Sequence, residues 1–185
     1  MKANIQRQES DPEQARIFFA LWPPLAQRQQ LHDLAVRYHK LCGGRVMRAE
    51  TLHLTLLFLG AVPMRRLQVL CNALDGLEAS PFLLTLGQFC CWRHNRIGYV
   101  TTTGQNAALS RLAQALREAV SMAGFSFEER AFSPHVTLLR HVEHALEPQS
   151  VVHIEWPVES IALVESVVTD RGVSYRTLHR WDCQP

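Results

Sequence analysis

The sequence predicts one domain of mixed helices and strands that is internally duplicated. The segment Leu52-His53-Leu54-Thr55-Leu56 recurs, in shortened form, as His135-Val136-Thr137-Leu138. Each copy follows an apolar, strand-like segment and a helical stretch; the two strand-like segments are Ile17–Leu21 and Ile97–Val100. Self-similarity of this kind is typical of duplicated architectures. The chain has 185 residues, 47% of them hydrophobic, which is enough for one compact domain with a substantial core.

The first half starts after a polar segment. Residues 1–14 contain few apolar side chains, so we expect a flexible N-terminal tail followed by a single domain over residues 15–185. Residues 17–21 form an apolar run that Trp22-Pro23-Pro24 ends. This run predicts a buried strand, and Pro24 suits the first position of the helix that follows.

The predicted first helix carries one apolar stripe and ends at a glycine pair. Gly43-Gly44 provides the left-handed cap. Residues at three-to-four spacing form the stripe: Leu31, Leu34, Ala35, Tyr38 and Leu41. A strand over Thr51–Leu59 then carries the first copy of the repeat, and Gly60 with Pro63 marks a turn into a second helix. That helix carries Leu67, Leu70, Leu74 and Leu77.

In the second half of the sequence, we expect a hairpin and a helix, then the strand that carries the second copy of the repeat, and a closing pair of strands. Pro134 precedes the second copy, and turn residues lie at 93–96 and 170–172. The predicted elements are strands Phe82–Trp92 and Ile97–Thr102, a helix over 107–123 that Gly124 ends, and strands Val158–Val168 and Tyr175–Trp181. The polar stretch between Arg140 and the closing strands is expected to be a loop.

The two copies of the repeat supply the candidate site residues. Side chains alternate between the faces of a strand, so His53 and Thr55 share one face while the flanking leucines enter the core. His135 and Thr137 share a face in the same way. If the two strands face each other across a cleft, two imidazoles and two hydroxyls converge where neither copy supplies a carboxylate. Such a space suits an anion, although a His and a Thr two apart on a half-buried strand can also be purely structural.

Composition excludes several classes of protein. The net charge of +2 provides no general basic field for coating a nucleic acid, so recognition of an anion must be local. No stretch approaches 18 apolar residues and the first residues lack the apolar core of a signal peptide, so we expect no membrane span and a cytoplasmic location. The five cysteines contain no Cys-x-x-Cys pair, which favours reduced thiols over disulfides or structural zinc.

No cofactor or metal is expected. The sequence lacks a Gly-rich phosphate loop and a Gly-x-Ser-x-Gly motif. His141, His144 and His153 could in principle hold a metal ion, but they lie in the predicted polar loop, and a solvated face is the favoured interpretation.

Beyond the repeat itself, several segments carry a family resemblance. They are Arg16–Leu21, Phe58-Leu59-Gly60, Phe132-Ser133-Pro134, Arg140 and Tyr175–Trp181. Together with the two His-x-Thr segments, they resemble the 2H phosphoesterase superfamily, and most of all its RNA 2′,3′-cyclic phosphodiesterase branch, once called 2′-5′ RNA ligase. The resemblance covers most of the chain.

The resemblance implies a two-lobed α+β fold, with antiparallel sheets, outer helices and a central cleft. It implies metal-free hydrolysis of RNA 2′,3′-cyclic phosphate ends to 2′-phosphomonoesters, and in some members joining of RNA ends through a 2′-5′ bond. By resemblance His53 is the proton donor and His135 the proton acceptor, while Thr55, Thr137 and Arg140 bind the phosphate oxygens.

The resemblance also suggests that Phe19 stacks on the terminal base. Because Phe18 and Phe19 point to opposite faces, one of them faces the cleft if the strand lines it, and a core position for Phe19 is the alternative.

Two other functions stay open at this point. One is a binding module for RNA ends or nucleotides without turnover. The other is a related enzyme acting on a different cyclic or 2′-5′ phosphodiester, since the His-x-Thr segments recognise phosphate and not the base. The expected partner is RNA with a 2′,3′-cyclic phosphate end, the expected oligomeric state is a monomer, and no membrane partner is expected.

Overall fold

The computed structural model describes residues 13–170 and 172–184, so most of the predicted N-terminal tail lies outside the described residues. The described part contains three α-helices: α1 (Leu25–Cys42), α2 (Leu67–Leu74) and α3 (Ala107–Met122). Its strands are β1 (Gln14–Leu21), β2 (Arg45–Val46), β3 (Leu54–Pro63), β4 (Phe82–Trp92), β5 (Ile97–Thr102), β6 (His135–Arg140), β7 (Gln149–Val158), β8 (Ser160–Thr169) and β9 (Gly172–Asp182).

The strands form two antiparallel lobes with the same plan. In the first lobe the order is β3-β1-β8-β9, and in the second it is β6-β5-β4-β7, with the short β2 added at β6. In each lobe the strand carrying the repeat pairs with the strand that precedes it in the predicted duplication, β3 with β1 and β6 with β5. The expected duplicated α+β fold is therefore confirmed.

The lobes meet where the two copies of the repeat lie side by side. Leu54 of β3 lies opposite Val136 of β6, and among the described residues this one pair joins the two strands. Because one such pair links the two halves, the sheet is continuous in hydrogen bonding but divides into two lobes at this point.

The helices and the main core lie on one face of the sheet. α1 follows β1 of the first lobe and contacts β6 and β7 of the second. α3 contacts β3 of the first lobe and β4 of the second, so it spans the junction between the lobes. Leu52, Leu54 and Leu56 are buried in this core, as predicted, and so are Val136 and Leu138 of the second copy. The His and Thr side chains therefore lie on the opposite face. Among the described residues, no helix is long and apolar enough to cross a membrane.

Several element boundaries differ from the sequence prediction. Pro24 caps α1 instead of being its first residue, and the buried stripe of that helix ends on Cys42, because Leu41 is 56% exposed. A 3-10 turn occupies Ala49–Thr51, so β3 begins at Leu54 and His53 directly precedes it.

The predicted loop between Arg140 and the closing strands is wrong in its second half. Residues 149–158 form β7, which pairs with β4 and completes the second lobe. Ile154, Trp156 and Val158 are buried while the residues between them are exposed. This alternation is the period of a half-buried strand.

Candidate active site

A cleft of about 720 Å³ lies between the lobes on the face without helices. His53, Thr55, His135 and Thr137 all line it, and so does Arg140. The structure thus brings together five of the six residues predicted for the site. The first copy contributes from the start of β3, and the second contributes from β6.

The pairing at the junction arranges the four repeat side chains around a local twofold axis. Leu54 opposite Val136 in an antiparallel pair places His53 toward Thr137, and Thr55 toward His135. Each imidazole therefore lies across from the hydroxyl of the other copy, and the two imidazoles occupy opposite corners of one space.

Both imidazoles are held by the same backbone contact. His53 Nδ1 lies 2.7 Å from the carbonyl oxygen of Thr51, and His135 Nδ1 lies 2.8 Å from that of Ser133. Because a carbonyl can only accept, each Nδ1 carries a hydrogen and donates it. The second ring nitrogen, Nε2, is then the atom free to exchange protons in both copies.

In each lobe, a β-bulge directly after the His-x-Thr segment decides which of the following side chains faces the cleft. On β6, Gly98 pairs with Leu139 and Tyr99 with Thr137, so Leu138 is the extra residue. The bulge reverses the alternation beyond it, which buries Leu138 and Leu139 and turns Arg140 to the cleft. The first lobe repeats this irregularity at Leu56, and there the corresponding cleft residue is Phe58.

Aromatic rings enclose His53. Trp22 stacks on it with ring centres 4.9 Å apart and planes at 15°. Tyr175 contacts it edge to face at 4.9 Å, and Phe18 lies 5.1 Å away. These three rings fix the imidazole plane and shield part of the ring from water, while the residue stays partly exposed to the cleft.

His135 has a similar but more open aromatic surround. Trp92 and Tyr99 each meet its ring edge to face, with centres 4.6 Å and 5.6 Å away. Sequence reasoning did not assign Trp22, Trp92 or Tyr175 to the site. Trp22 directly follows β1 and Trp92 ends β4, so their positions beside the histidines depend on strand pairing that the sequence alone does not show.

Burial shifts the pKa of both histidines downward. It lowers the pKa of His53 from 6.5 to about 4; the hydrogen bond to Thr51 opposes the shift, while His135 when protonated and the positive charge of Arg140 add to it. The pKa of His135 is also lowered, mainly by burial and further by Arg130, against the hydrogen bond to Ser133. Both rings are therefore mostly neutral at pH 7 before an anion binds.

The predicted base-stacking role of Phe19 is wrong. Phe19 shares a strand face with Ile17 and Leu21, and this face packs into the main core, where Phe19 is fully buried. Phe18 is the aromatic on the cleft side of β1, in a small cluster with Ala20. Because Phe18 is itself 3% exposed and contacts His53, it forms the floor beneath the imidazole.

The cleft carries an excess of positive charge. Among the described residues that line it, four are arginines and one is a carboxylate, Glu128. Three of the arginines have partners: Arg130 pairs with Glu128 at 3.6 Å, Arg16 lies over the Phe58 ring, and Arg117 lies over the Phe127 ring. This balance favours an anionic ligand.

The described residues contain no group of three or more His, Cys, Asp or Glu side chains that could hold a metal ion. The candidate site is built from imidazoles, hydroxyls and a guanidinium. These groups bind an anion and exchange protons.

The comparison with protein families matches the duplication. The model described as "LigT like Phosphoesterase" matches the chain twice, over residues 21–99 and 100–175. The chain belongs to the LigT-like phosphoesterase family. It is therefore a phosphoesterase, and the predicted enzyme class, a hydrolase, is confirmed.

Two relatives cover nearly the whole LigT-like chain. It is 30% identical over 173 residues to the RNA 2′,3′-cyclic phosphodiesterase of Escherichia coli K12, covering 93% of this chain and 97% of that protein. It is 32% identical over 182 residues to the protein of the same name from Thermus thermophilus, covering 90% and 89%. The crystal structure of E. coli LigT complexed with 3′-AMP superposes with a TM-score of 0.85 at 28% identity, over 94% of this chain and 100% of the other.

Proposed function

We propose that this chain hydrolyses RNA 2′,3′-cyclic phosphate ends to 2′-phosphomonoesters, without a metal, by paired general acid and base catalysis of His53 and His135. The observation that carries the proposal is the matched pair of imidazoles. Each Nδ1 is held by a backbone carbonyl two residues earlier, and both rings line one cleft. The names of the relatives, RNA 2′,3′-cyclic phosphodiesterase, support the choice of substrate.

The chemistry requires two proton transfers on opposite sides of phosphorus. His135 Nε2 accepts a proton from water, whose oxygen bonds to phosphorus. The bond from phosphorus to the 3′-oxygen breaks, and His53 Nε2–H donates its proton to that oxygen. Two imidazoles at opposite corners of one space suit an in-line displacement, which a single histidine could not serve from both sides.

The remaining polar groups bind the phosphate oxygens. The hydroxyls of Thr55 and Thr137 donate to the non-bridging oxygens, and Arg140 supplies a positive charge where negative charge develops. The bulge at Leu138 supports this role for Arg140, because it turns that side chain to the cleft.

The acid role of His53 and the base role of His135 follow the family resemblance. They require one proton on the pair of rings, and the negative charge of the bound substrate favours that proton. In the free enzyme the low pKa of His53 keeps its ring mostly neutral. A bound phosphodiester brings a negative charge beside both rings, which raises their pKa values and favours one shared proton. The same groups would activate a 5′-hydroxyl in place of water, and that reaction forms a 2′-5′ bond, so ligation is part of the proposal.

The proposal is tested on a short RNA ending in a 2′,3′-cyclic phosphate, incubated with the protein in EDTA. We expect a 2′-phosphomonoester as the product, identified by ³¹P NMR, and its formation should be lost in His135→Ala. A 3′-phosphomonoester, or a requirement for a divalent ion, would contradict the mechanism. Tight binding of the RNA without turnover would instead identify a binding module.

A second substrate tests the assignment of roles. A cyclic phosphorothiolate with sulfur at the 3′ position has a leaving group that needs no proton from an acid. We expect this substrate to restore the rate of His53→Ala and not that of His135→Ala. Rescue of His135→Ala alone would show that the two roles are reversed.

A further inference from the structure

A second cavity, of about 350 Å³, opens beside the catalytic cleft and shares several lining residues with it. Arg140, Thr51 and Tyr175 belong to both. The walls that are not shared carry Arg45, Arg48 and His141, and none of the described lining residues is a carboxylate. We call this second cavity the Arg45 pocket.

Arg45 and Arg140 are like charges placed directly opposite each other. They form a register pair between β2 and β6, so their side chains leave the sheet on the same face. Like charges in this arrangement destabilise a sheet unless something compensates them. Among the described residues, neither guanidinium has an ion-pair or hydrogen-bond partner within the protein.

The backbone around Arg45 is held in place. Gly44 has a φ of +85°, and a Cβ at this position would lie 2.6 Å from the carbonyl oxygen of Arg140. A side chain there would push β2 away from β6. Arg48 links the segment after β2 to β9, because its guanidinium donates a hydrogen bond to the carbonyl oxygen of Val173 at 3.1 Å. The same guanidinium pairs with Glu50 at 3.4 Å. The pocket is therefore a formed feature between β2, β6 and β9.

We propose that the Arg45 pocket binds a second phosphate of the substrate, the one attached to the 5′-oxygen of the nucleoside whose cyclic phosphate reacts. This inference rests on the proposed function, because it places the reacting phosphate at His53, His135 and Arg140. Arg140 lies at the border of both cavities, so the second phosphate is adjacent to the first. The other arginines of the cleft already contact a carboxylate or an aromatic ring. A phosphate between Arg45 and Arg140 would relieve their repulsion.

The consequence is a preference for substrates that carry a 5′-phosphate on the terminal nucleoside. Three probes separate the sources of that phosphate: adenosine 2′,3′-cyclic phosphate, its 5′-phosphorylated form, and the dinucleotide ApA with a 2′,3′-cyclic phosphate end. The first has no second phosphate, the second has a phosphomonoester, and the third has an internal phosphodiester.

The test compares the wild type with Arg45→Gln. We expect kcat/KM for one or both phosphate-bearing probes to exceed that for the plain nucleotide. In Arg45→Gln the ratio of kcat/KM for a phosphate-bearing probe to kcat/KM for the plain nucleotide should fall by about 5- to 20-fold, mainly through KM. This is at the low end of the scale for a hydrogen bond to a charged group, because both arginines are exposed to solvent. Arg37→Gln is the matched control, because Arg37 is exposed on α1 and lines neither cavity. Its ratio should equal that of the wild type.

Raising the salt concentration should reduce the advantage of the phosphate-bearing probes in the wild type, since the contact is electrostatic and open to solvent. The inference is overturned if neither probe exceeds the plain nucleotide, or if the advantage survives in Arg45→Gln.

A binding measurement keeps the inference separate from the proposed function. Calorimetry with adenosine 3′,5′-bisphosphate and with 3′-AMP needs no turnover. The bisphosphate should bind more tightly to the wild type, and Arg45→Gln should remove most of that difference. If no cyclic phosphate is hydrolysed, the proposed function fails whatever the two affinities are. If hydrolysis occurs and the affinities are equal, the Arg45 pocket does not bind a second phosphate.

Discussion

Replacing His53 by glutamine should make the stability of the protein less sensitive to acid. The ring of His53 lies among Trp22, Phe18 and Tyr175, and its pKa is lowered from 6.5 to about 4. Between these two pH values the unfolded chain binds a proton at this position that the folded protein does not bind. Stability from the neutral ring is therefore fully present above pH 6.5 and is lost as the pH falls toward 4.

The size of the effect follows from the two pKa values. At pH 5, an unfolded pKa of 6.5 and a folded pKa of about 4 correspond to a loss of about 2 kcal/mol relative to neutral pH. The free energy of unfolding of the wild type falls by this amount between pH 7 and pH 5. That of His53→Gln does not, because glutamine binds no proton in this range; the absence of the hydrogen bond to Thr51 affects the variant equally at every pH.

Urea denaturation at pH 7 and pH 5 measures the difference. We expect the free energy of unfolding to fall by about 2 kcal/mol more in the wild type than in His53→Gln over this interval. His39→Gln serves as the control, because His39 is exposed on α1, and it should behave like the wild type. Equal losses in the wild type and His53→Gln would show that His53 is not held neutral by its surroundings.

Three further predictions concern activity and local structure. The pH profile of kcat/KM should be a bell centred below pH 6.5, because both histidine pKa values are lowered in the free enzyme, and a centre at or above pH 7 would contradict this. Thr55→Val and Thr137→Val should each lower kcat by roughly 10- to 10³-fold with little change in Tm, and a lower Tm with unchanged kcat would assign that threonine a structural role. Gly44→Ala should lower the free energy of unfolding, measured by urea denaturation, by about 1 to 3 kcal/mol. Gly76→Ala is the control and should leave it nearly unchanged, because a Cβ at Gly76 meets nothing within 4 Å. Equal effects of the two substitutions would refute the need for glycine at position 44.

Local signals in the sequence predict part of the fold well. The hairpin of β4 and β5 has the predicted bounds, because apolar runs flanking a polar turn are visible within 21 residues. β7 was missed although Ile154, Trp156 and Val158 alternate with exposed residues. The charged and polar side chains of β7 lie on its solvent-facing side, and in the sequence they give the whole stretch the polar character of a loop.

The histidines and threonines of the site could be predicted from the repeat, but the side chains around them could not. Which of Phe18 and Phe19 faces the cleft depends on what each face of β1 packs against. The position of Arg140 depends on a bulge at Leu138, and a bulge arises from the register between two strands far apart in sequence. Trp22 reaches His53 for the same reason, since β1 and β3 are paired.

The most direct test of the paired mechanism is the rate of hydrolysis of a 2′,3′-cyclic phosphate by His53→Ala, His135→Ala and the double variant, in one assay with EDTA present. If the two imidazoles act as one unit, each single variant loses most of the activity and the double variant loses little more than the worse single variant. If the losses in the two single variants multiply in the double variant, or if either single variant keeps near-normal kcat, the histidines do not act as a coupled acid and base.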